Sequence, residues 1–260
     1  MRNIRLSGMI YKPSKGKTAL ISGAGRNNGR TISLAFAREG ADLILVSKQS
    51  ADDLNQVAKD CEALGVQALP MLADMGRHEE VNRVVQQGLQ RFGKVDVVVS
   101  LAGVRLAKLP WDFSYDEWQD VFAINLHSTF YLAKALAPGM IERGQGGSFI
   151  AVTGNSALTG DSPKAAAMSA SRHGLHGLIK GLAQALGPHG IRANLLVLAN
   201  VESERRTPEW YANAAKRAEK APMRRMGRQS EVASAAVFLA CDESSYITGD
   251  RIACEGGIQL

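Results

Sequence analysis

Two short stretches of this sequence hold residue types at spacings that could do chemistry. The first, Ser22-Gly23-Ala24-Gly25-Arg26-Asn27-Asn28-Gly29, joins an apolar run to an amphipathic one. Glycines let the main chain come close to a ligand, and the start of the following helix adds unpaired N–H groups and a partial positive charge. A phosphate is the group such a turn takes. The alternative is a tight turn with no ligand, and the strand before it and helix after it favour the phosphate. The second stretch, AAAMSASRHG at 165–174, is helix-forming and lacks tyrosine, lysine and carboxylate. Its Arg172 stays protonated at any accessible pH, so it can bind an anion and cannot relay a proton. His173 is of the type best suited to proton transfer near neutrality, with an ordinary surface or packing role as the plainer reading. His176 lies one turn on, and no carboxylate stands near to complete a metal site with the pair.

A third feature bears on what the turn would hold. After the second apolar run comes Val46-Ser47-Lys48, with no acid before Asp52. A carboxylate there would bind both ribose hydroxyls of NAD and repel a 2′-phosphate. Ser47, Lys48 and Arg26 would instead neutralise and hydrogen-bond that phosphate. The expected cofactor is therefore NADP(H) rather than NAD(H), with solvated side chains and no bound nucleotide as the alternative. Cys61, Cys241 and Cys254 are far apart, a pattern of buried thiols in a reducing compartment rather than of disulfides or zinc.

The elements that must position these residues read as alternating strands and helices. Apolar runs of strand length fall at 18–23, 41–47, 66–72, 95–103, 147–154, 191–199 and 251–257, the third weakened by Pro70. Between them, Val81, Val84, Val85, Leu89 and Phe92 share one helical face, and Val57, Cys61 and Leu64 another. Strands with so few polar interruptions are buried on both faces, as in a parallel sheet covered by helices. The fold class is α/β, a doubly wound parallel sheet of about seven strands in a single domain. Hydrophobic residues make up 45% and charged residues 22% of the 260, an ordinary globular balance. The net charge is +6, and residues 1–17 hold five Lys or Arg and no acid. Residues 1–16 read as a basic, solvated N-terminal extension and 17–260 as the domain. No apolar run approaches the roughly 18 residues of a membrane span, and the start has no signal-peptide pattern. A cytoplasmic protein is expected, with neither nucleic acid nor membrane as partner.

Over nearly its whole length the chain resembles the short-chain dehydrogenase/reductase family. That family's Thr-Gly-x-x-x-Gly-x-Gly motif matches Ser22 to Gly29, with Asn27 at the middle glycine. Asparagine tolerates left-handed backbone, although its side chain would stand near the pyrophosphate. "LADMG" sets Asp74 at the family's acid beside the adenine, and "VFAINLHSTF" sets Asn125 at its asparagine. "FLACDESSYITGDRIACEGG" at 238–257 is similar to its C-terminal end. The resemblance implies a Rossmann fold whose cofactor is held by Ser22, Gly23, Gly25, Arg26, Asn27, Asn28 and Gly29. Ser47, Lys48 and Asp74 would hold its adenosine side, and Ala102, Gly103 and Arg172 its nicotinamide side.

The resemblance also implies a Ser–Tyr–Lys–Asn site, and here the sequence departs from the pattern. Met168 stands at the tyrosine, Arg172 at the lysine and Gly154 at the serine, with Ser156 as a displaced serine; only Asn125 matches. The family's Asn-Asn-Ala-Gly reads Ser100-Leu101-Ala102-Gly103, and its Pro-Gly reads Leu198-Ala199. The implied activity is an oxidoreductase on a carbonyl or alcohol of a small molecule that lacks its usual acid. Losing a general acid typically costs ~10²–10⁴ in rate. A nucleotide- or ligand-binding pseudoenzyme is the alternative, and a lyase or isomerase with Arg172 as an anion clamp a further one. Residues 200–226 would form a substrate lid, in which Tyr211 is either a relocated donor or a staple beside Trp210. The lid's Arg205, Arg206, Lys216, Arg217 and Lys220 are interleaved with Glu204, Glu209 and Glu219, as on a solvated, salt-bridged helix. By resemblance, helices near 116–141 and 166–187 would pair across a homodimer or homotetramer.

Overall fold

The computed structural model describes residues 14–155, 162–204 and 207–258. Most of the basic extension, Ser156 and the Arg205–Arg206 pair lie outside the described residues. Seven strands form one parallel sheet: β1 (Thr18–Ser22), β2 (Asp42–Ser47), β3 (Ala68–Leu72), β4 (Val97–Ser100), β5 (Gly147–Gly154), β6 (Ile191–Leu198) and β7 (Arg251–Cys254). Their order is β3-β2-β1-β4-β5-β6-β7. The chain reverses direction across the sheet between β1 and β4, and ligands of open α/β sheets bind outside the strand ends at such a switch.

Each central strand sends alternate side chains into two apolar layers. Leu20, Ile44 and Val98 pack in one layer with Leu132, Met140 and Ile179. Their neighbours Ile21, Leu45 and Val99 pack in the other with Ile32, Phe36 and Leu239. The first layer lies under α3 (His78–Phe92), α5 (Ser128–Arg143) and α6 (Ala166–Leu186); the second lies under α1 (Asn27–Arg38), α2 (Ala51–Glu62) and α8 (Gln229–Ala240). α4 (Tyr115–Phe122) precedes α5, and α7 (Pro208–Ala218) lies between β6 and α8. Pro70 pairs opposite Leu45 on β3, an edge strand, where the missing N–H breaks no ladder.

Three local expectations change. Leu89 and Leu64 are each 38% exposed, although their spacing places them on apolar faces. On α3 the close approach falls at Gly88, where a Cβ would come within 2.4 Å of Ile44 Cδ1, and Leu89 turns off that contact. Leu64 lies beyond the end of α2, so helical spacing no longer governs it. The expected helix near 116–141 is interrupted by a π-helical turn at Ala123–His127. Such a bulge frequently marks a functional position, and it contains Asn125.

Candidate functional site

The glycine turn is built by contacts that only glycine permits. Gly23 has φ 72, and a Cβ there would lie 3.2 Å from the Ala102 N. A Cβ on Gly29 would lie 1.9 Å from the Gly23 carbonyl oxygen, so α1 can meet the end of β1 only with glycine at this position. Ser22 Oγ accepts from Leu101 N–H (3.0 Å) and Ala102 N–H (3.1 Å), tying the exits of β1 and β4 together. Helix α1 opens without a side-chain cap and without an acid in its first turn. The first main-chain bond into it comes from Arg30 N–H to Arg26 O at 3.2 Å, so the amides before it are donors a phosphate can use. Asn28 Oδ1, buried with no hydrogen-bond partner among the described residues, is an acceptor and adds no donor to these amides. The turn therefore fits the pyrophosphate of a dinucleotide, with Ser22, Gly23, Ala102 and Gly103 gathered at the switch point.

At the adenosine end, Gly25 lies against Ser47; a Cβ there would be 3.4 Å from Ser47 Oγ. The Ser47 hydroxyl donates to Gln49 O at 2.7 Å. Lys48 Nζ pairs with Asp74 Oδ2 at 2.7 Å, so a cation and a carboxylate close on each other at the ends of β2 and β3. The hydrogen bond that Lys48 donates to Asp74 raises the Lys48 pKa. Burial works to raise the Asp74 pKa, but Lys48, the Gly76 amide and Arg77 together hold it below the usual carboxylate range. The pair is charged through the neutral range.

At the other end, Asn125 acts as a staple. Its Oδ1 accepts from Val104 N–H (2.9 Å), and its Nδ2 donates to Val104 O (3.2 Å) and Ser171 Oγ (3.3 Å). Ser171, wholly buried on α6, donates in turn to Met168 O at 3.1 Å. The loop after β4 and the first turns of α6 are thereby fixed together. Met168 and Arg172 are each 8% exposed. A Cβ on Gly154 would stand 3.2 Å from Arg172 Nη1 and 3.6 Å from its Cζ: the guanidinium covers the end of β5, where a serine side chain would need room. Burial, and after it the charge of Arg105, pushes the Arg172 pKa down to about 10, which leaves it a cation at neutral pH.

The other proton-transfer residues are placed differently. His173 is exposed and bonds through Nδ1 to Ser169 O at 2.9 Å on its own helix. Burial, then Lys180, Arg251 and His173, lower the His176 pKa. No group of three metal-ligating residues occurs among the described residues. The Tyr211 hydroxyl makes a short bond to Ser203 O, and the ring meets Trp210 edge-on at 5.3 Å. It is a staple between α7 and the segment after β6. Ser203 and Glu204, which the sequence reading did not single out as site residues, reach back to Asn27: Ser203 Oγ donates to Asn27 Oδ1 at 3.0 Å, and Glu204 N–H donates to it at 2.8 Å.

A parallel sheet with this order and a glycine turn at its switch point define a dinucleotide-binding α/β protein. A family model described as enoyl-(acyl carrier protein) reductase matches residues 23–259. L-rhamnose 1-dehydrogenase (NAD(P)(+)) of Sphingomonas sp. (strain SKA58) is 32% identical over 249 residues, 95% of this chain and 97% of that protein. Two solved structures cover 95% of this chain: carveol dehydrogenase from Mycobacterium avium in complex with NAD, and a blue fluorescent protein from a metagenomic library in complex with NADPH. The first is 27% identical with TM-score 0.86 and 99% of its chain covered; the second is 26% identical with TM-score 0.89 and 100% covered. The chain belongs to the short-chain dehydrogenase/reductase family, a family of oxidoreductases with NAD(P)-dependent members.

Proposed function

We propose that this chain binds NADP(H) in preference to NAD(H) and is a slow oxidoreductase on a carbonyl or alcohol of a small molecule. Its proton-donating tyrosine is replaced by Met168, and the Arg172 cation serves the substrate oxygen. The observation that carries the reading is the placement of a buried guanidinium over Gly154, in a chain whose dinucleotide turn keeps Gly23 and Gly29. A bound dinucleotide supplies or takes up the hydride. Arg172 has five N–H donors, so it can keep its present contacts and still hydrogen-bond an oxyanion or the ribose. Charge stabilisation of this kind offsets part of the missing acid's contribution. Ser47, Lys48 and Arg26 support the choice of NADP(H), through charge and the lack of a carboxylate at the end of β2. Residues 200–226 serve as the lid.

A second reading, a nucleotide-binding protein without turnover, is favoured by the buried, apolar Met168. A homo-oligomer is supported by Trp111, Tyr115 and Phe130, which are 79%, 92% and 46% exposed beside and on α4 and α5. A cytoplasmic location is supported by three free thiols. Titration of the purified protein with NADPH and NADH, followed by nucleotide fluorescence or heat, tests the cofactor; tighter NADH binding refutes the preference. Met168→Tyr with Arg172→Lys is expected to raise the turnover of simple ketones. No gain in a folded, nucleotide-binding variant counts against an otherwise intact reductase site, and no hydride transfer from NADPH by the parent protein refutes the oxidoreductase reading and leaves the second.

A further inference from the structure

Asn27 stands in the phosphate turn with φ 48, and its side-chain oxygen leaves the turn altogether. It accepts two donors from the segment after β6, Ser203 Oγ–H (3.0 Å) and Glu204 N–H (2.8 Å). Ser203 is also held from the lid side, since Tyr211 of α7 donates to its carbonyl. A chain of hydrogen bonds therefore runs from the phosphate turn through Ser203 to the lid helix. Arg30 Nη1 adds an ion pair to Glu204 at 3.8 Å. Thr31 Oγ1 reaches Gln229 Oε1 at 2.7 Å, and Gln229 Nε2 donates to Glu202 O at 3.2 Å. Among the described residues, only the Asn27 bonds link this segment to the turn that a pyrophosphate would occupy.

We infer that Asn27 is a positioning residue, a clasp that holds the lid root on the phosphate turn and competes with a dinucleotide phosphate for the Ser203 and Glu204 donors. The inference rests on the nucleotide reading above. A carboxamide oxygen is a weaker acceptor than a charged phosphate oxygen, so binding favours handing both donors over. The clasp then sets how much nucleotide affinity is lost in opening it, and couples occupancy of the turn to release of α7.

The test uses Asn27→Gly, which accepts the left-handed backbone, and Asn27→Asp, whose carboxylate accepts the same donors more strongly. Hydrogen exchange at the Glu204 amide and the dissociation constant for NADPH are measured in the full-length protein, with inorganic pyrophosphate as a second probe. For Asn27→Gly, the Glu204 amide should exchange about tenfold faster and NADPH should bind about tenfold more tightly, the loss of one to two net hydrogen bonds. Asn27→Asp should slow that exchange and weaken binding. A side chain that merely crowds the pyrophosphate also gives tighter binding for glycine but leaves Glu204 exchange unchanged in both variants, and a loosened turn binds less well. Unchanged or weaker NADPH binding by Asn27→Gly, or an unchanged Glu204 exchange rate, overturns the clasp. If no form of the protein binds NADPH or pyrophosphate, the nucleotide reading falls as well, so the two failures are distinguishable.

Discussion

Placing a serine at Gly154 would set a Cβ 3.2 Å from Arg172 Nη1, 3.6 Å from Cζ and 3.7 Å from Nη2, with Oγ still to be accommodated. Arg172 is 8% exposed, which limits its retreat toward solvent, so the guanidinium must shift within a packed site. Overpacking of this kind costs about 1–3 kcal/mol; the contact is with the end of a flexible side chain, which argues for the lower part of that range. In an Arg172→Lys background the narrower ammonium vacates the space above β5. There Gly154→Ser should be neutral or slightly stabilising, because glycine within a strand is itself weakening. The expected coupling between the two substitutions is therefore about 1 kcal/mol, measured as shifts in urea midpoint at constant m for the parent, both single variants and the double. Additivity within about 0.5 kcal/mol would refute the reasoning that Gly154 is glycine because Arg172 is arginine.

Gly29→Ala sets a Cβ 1.9 Å from a backbone oxygen, so α1 must move; a loss of about 3 kcal/mol and of nucleotide binding is expected, by urea unfolding and NADPH titration. Asp96 is 9% exposed and accepts from Thr18 N–H (2.8 Å), Lys94 Nζ (3.0 Å) and Arg143 Nη2 (2.9 Å). Asp96→Ala should destabilise by about 3 kcal/mol, the lower end for a broken buried pair because both cations are partly exposed. Lys48→Ala should weaken NADPH binding about tenfold more than NADH binding, since the 2′-phosphate loses its cation whereas the unpairing of Asp74 bears on both nucleotides. Asp74 is held below the ordinary carboxylate pKa in the folded protein and Lys48 above the ordinary ammonium value. The carboxylate's contribution is thus in force above about pH 4 and is lost as pH falls through the folded value, while that of Lys48 is lost only above about pH 10. The melting-temperature gap between parent and Asp74→Asn should stay constant from pH 5 to pH 9 and close below about pH 4; a gap that widens in acid contradicts the pairing.

Short-range pattern encodes the elements and the turn. Runs such as ALIS and LILV lack polar interruptions, so they are strands buried on both faces, and seven such runs separated by helical periods make a parallel sheet. The glycine turn was legible because backbone close to a ligand needs glycine, and Asn27 takes the left-handed backbone open to its residue type. The absence of an acid after β2, and of a tyrosine in AAAMSASRHG, needed no structure. Leu89 shows where the pattern stops: its spacing is that of a core residue, yet the core contact on α3 falls to Gly88. The tertiary structure alone decided which polar groups meet. Lys48 was legible as a free cation for a phosphate, and the fold gives it Asp74. Arg172 and Gly154 were two separate departures from a pattern, and the fold sets the guanidinium against the glycine. Asn27 finds its donors 176 residues away. Periodicity fixes which face of an element is buried, whereas a side-chain partner is chosen by which elements the closed fold brings within about 3 Å, and no local spacing carries that distance.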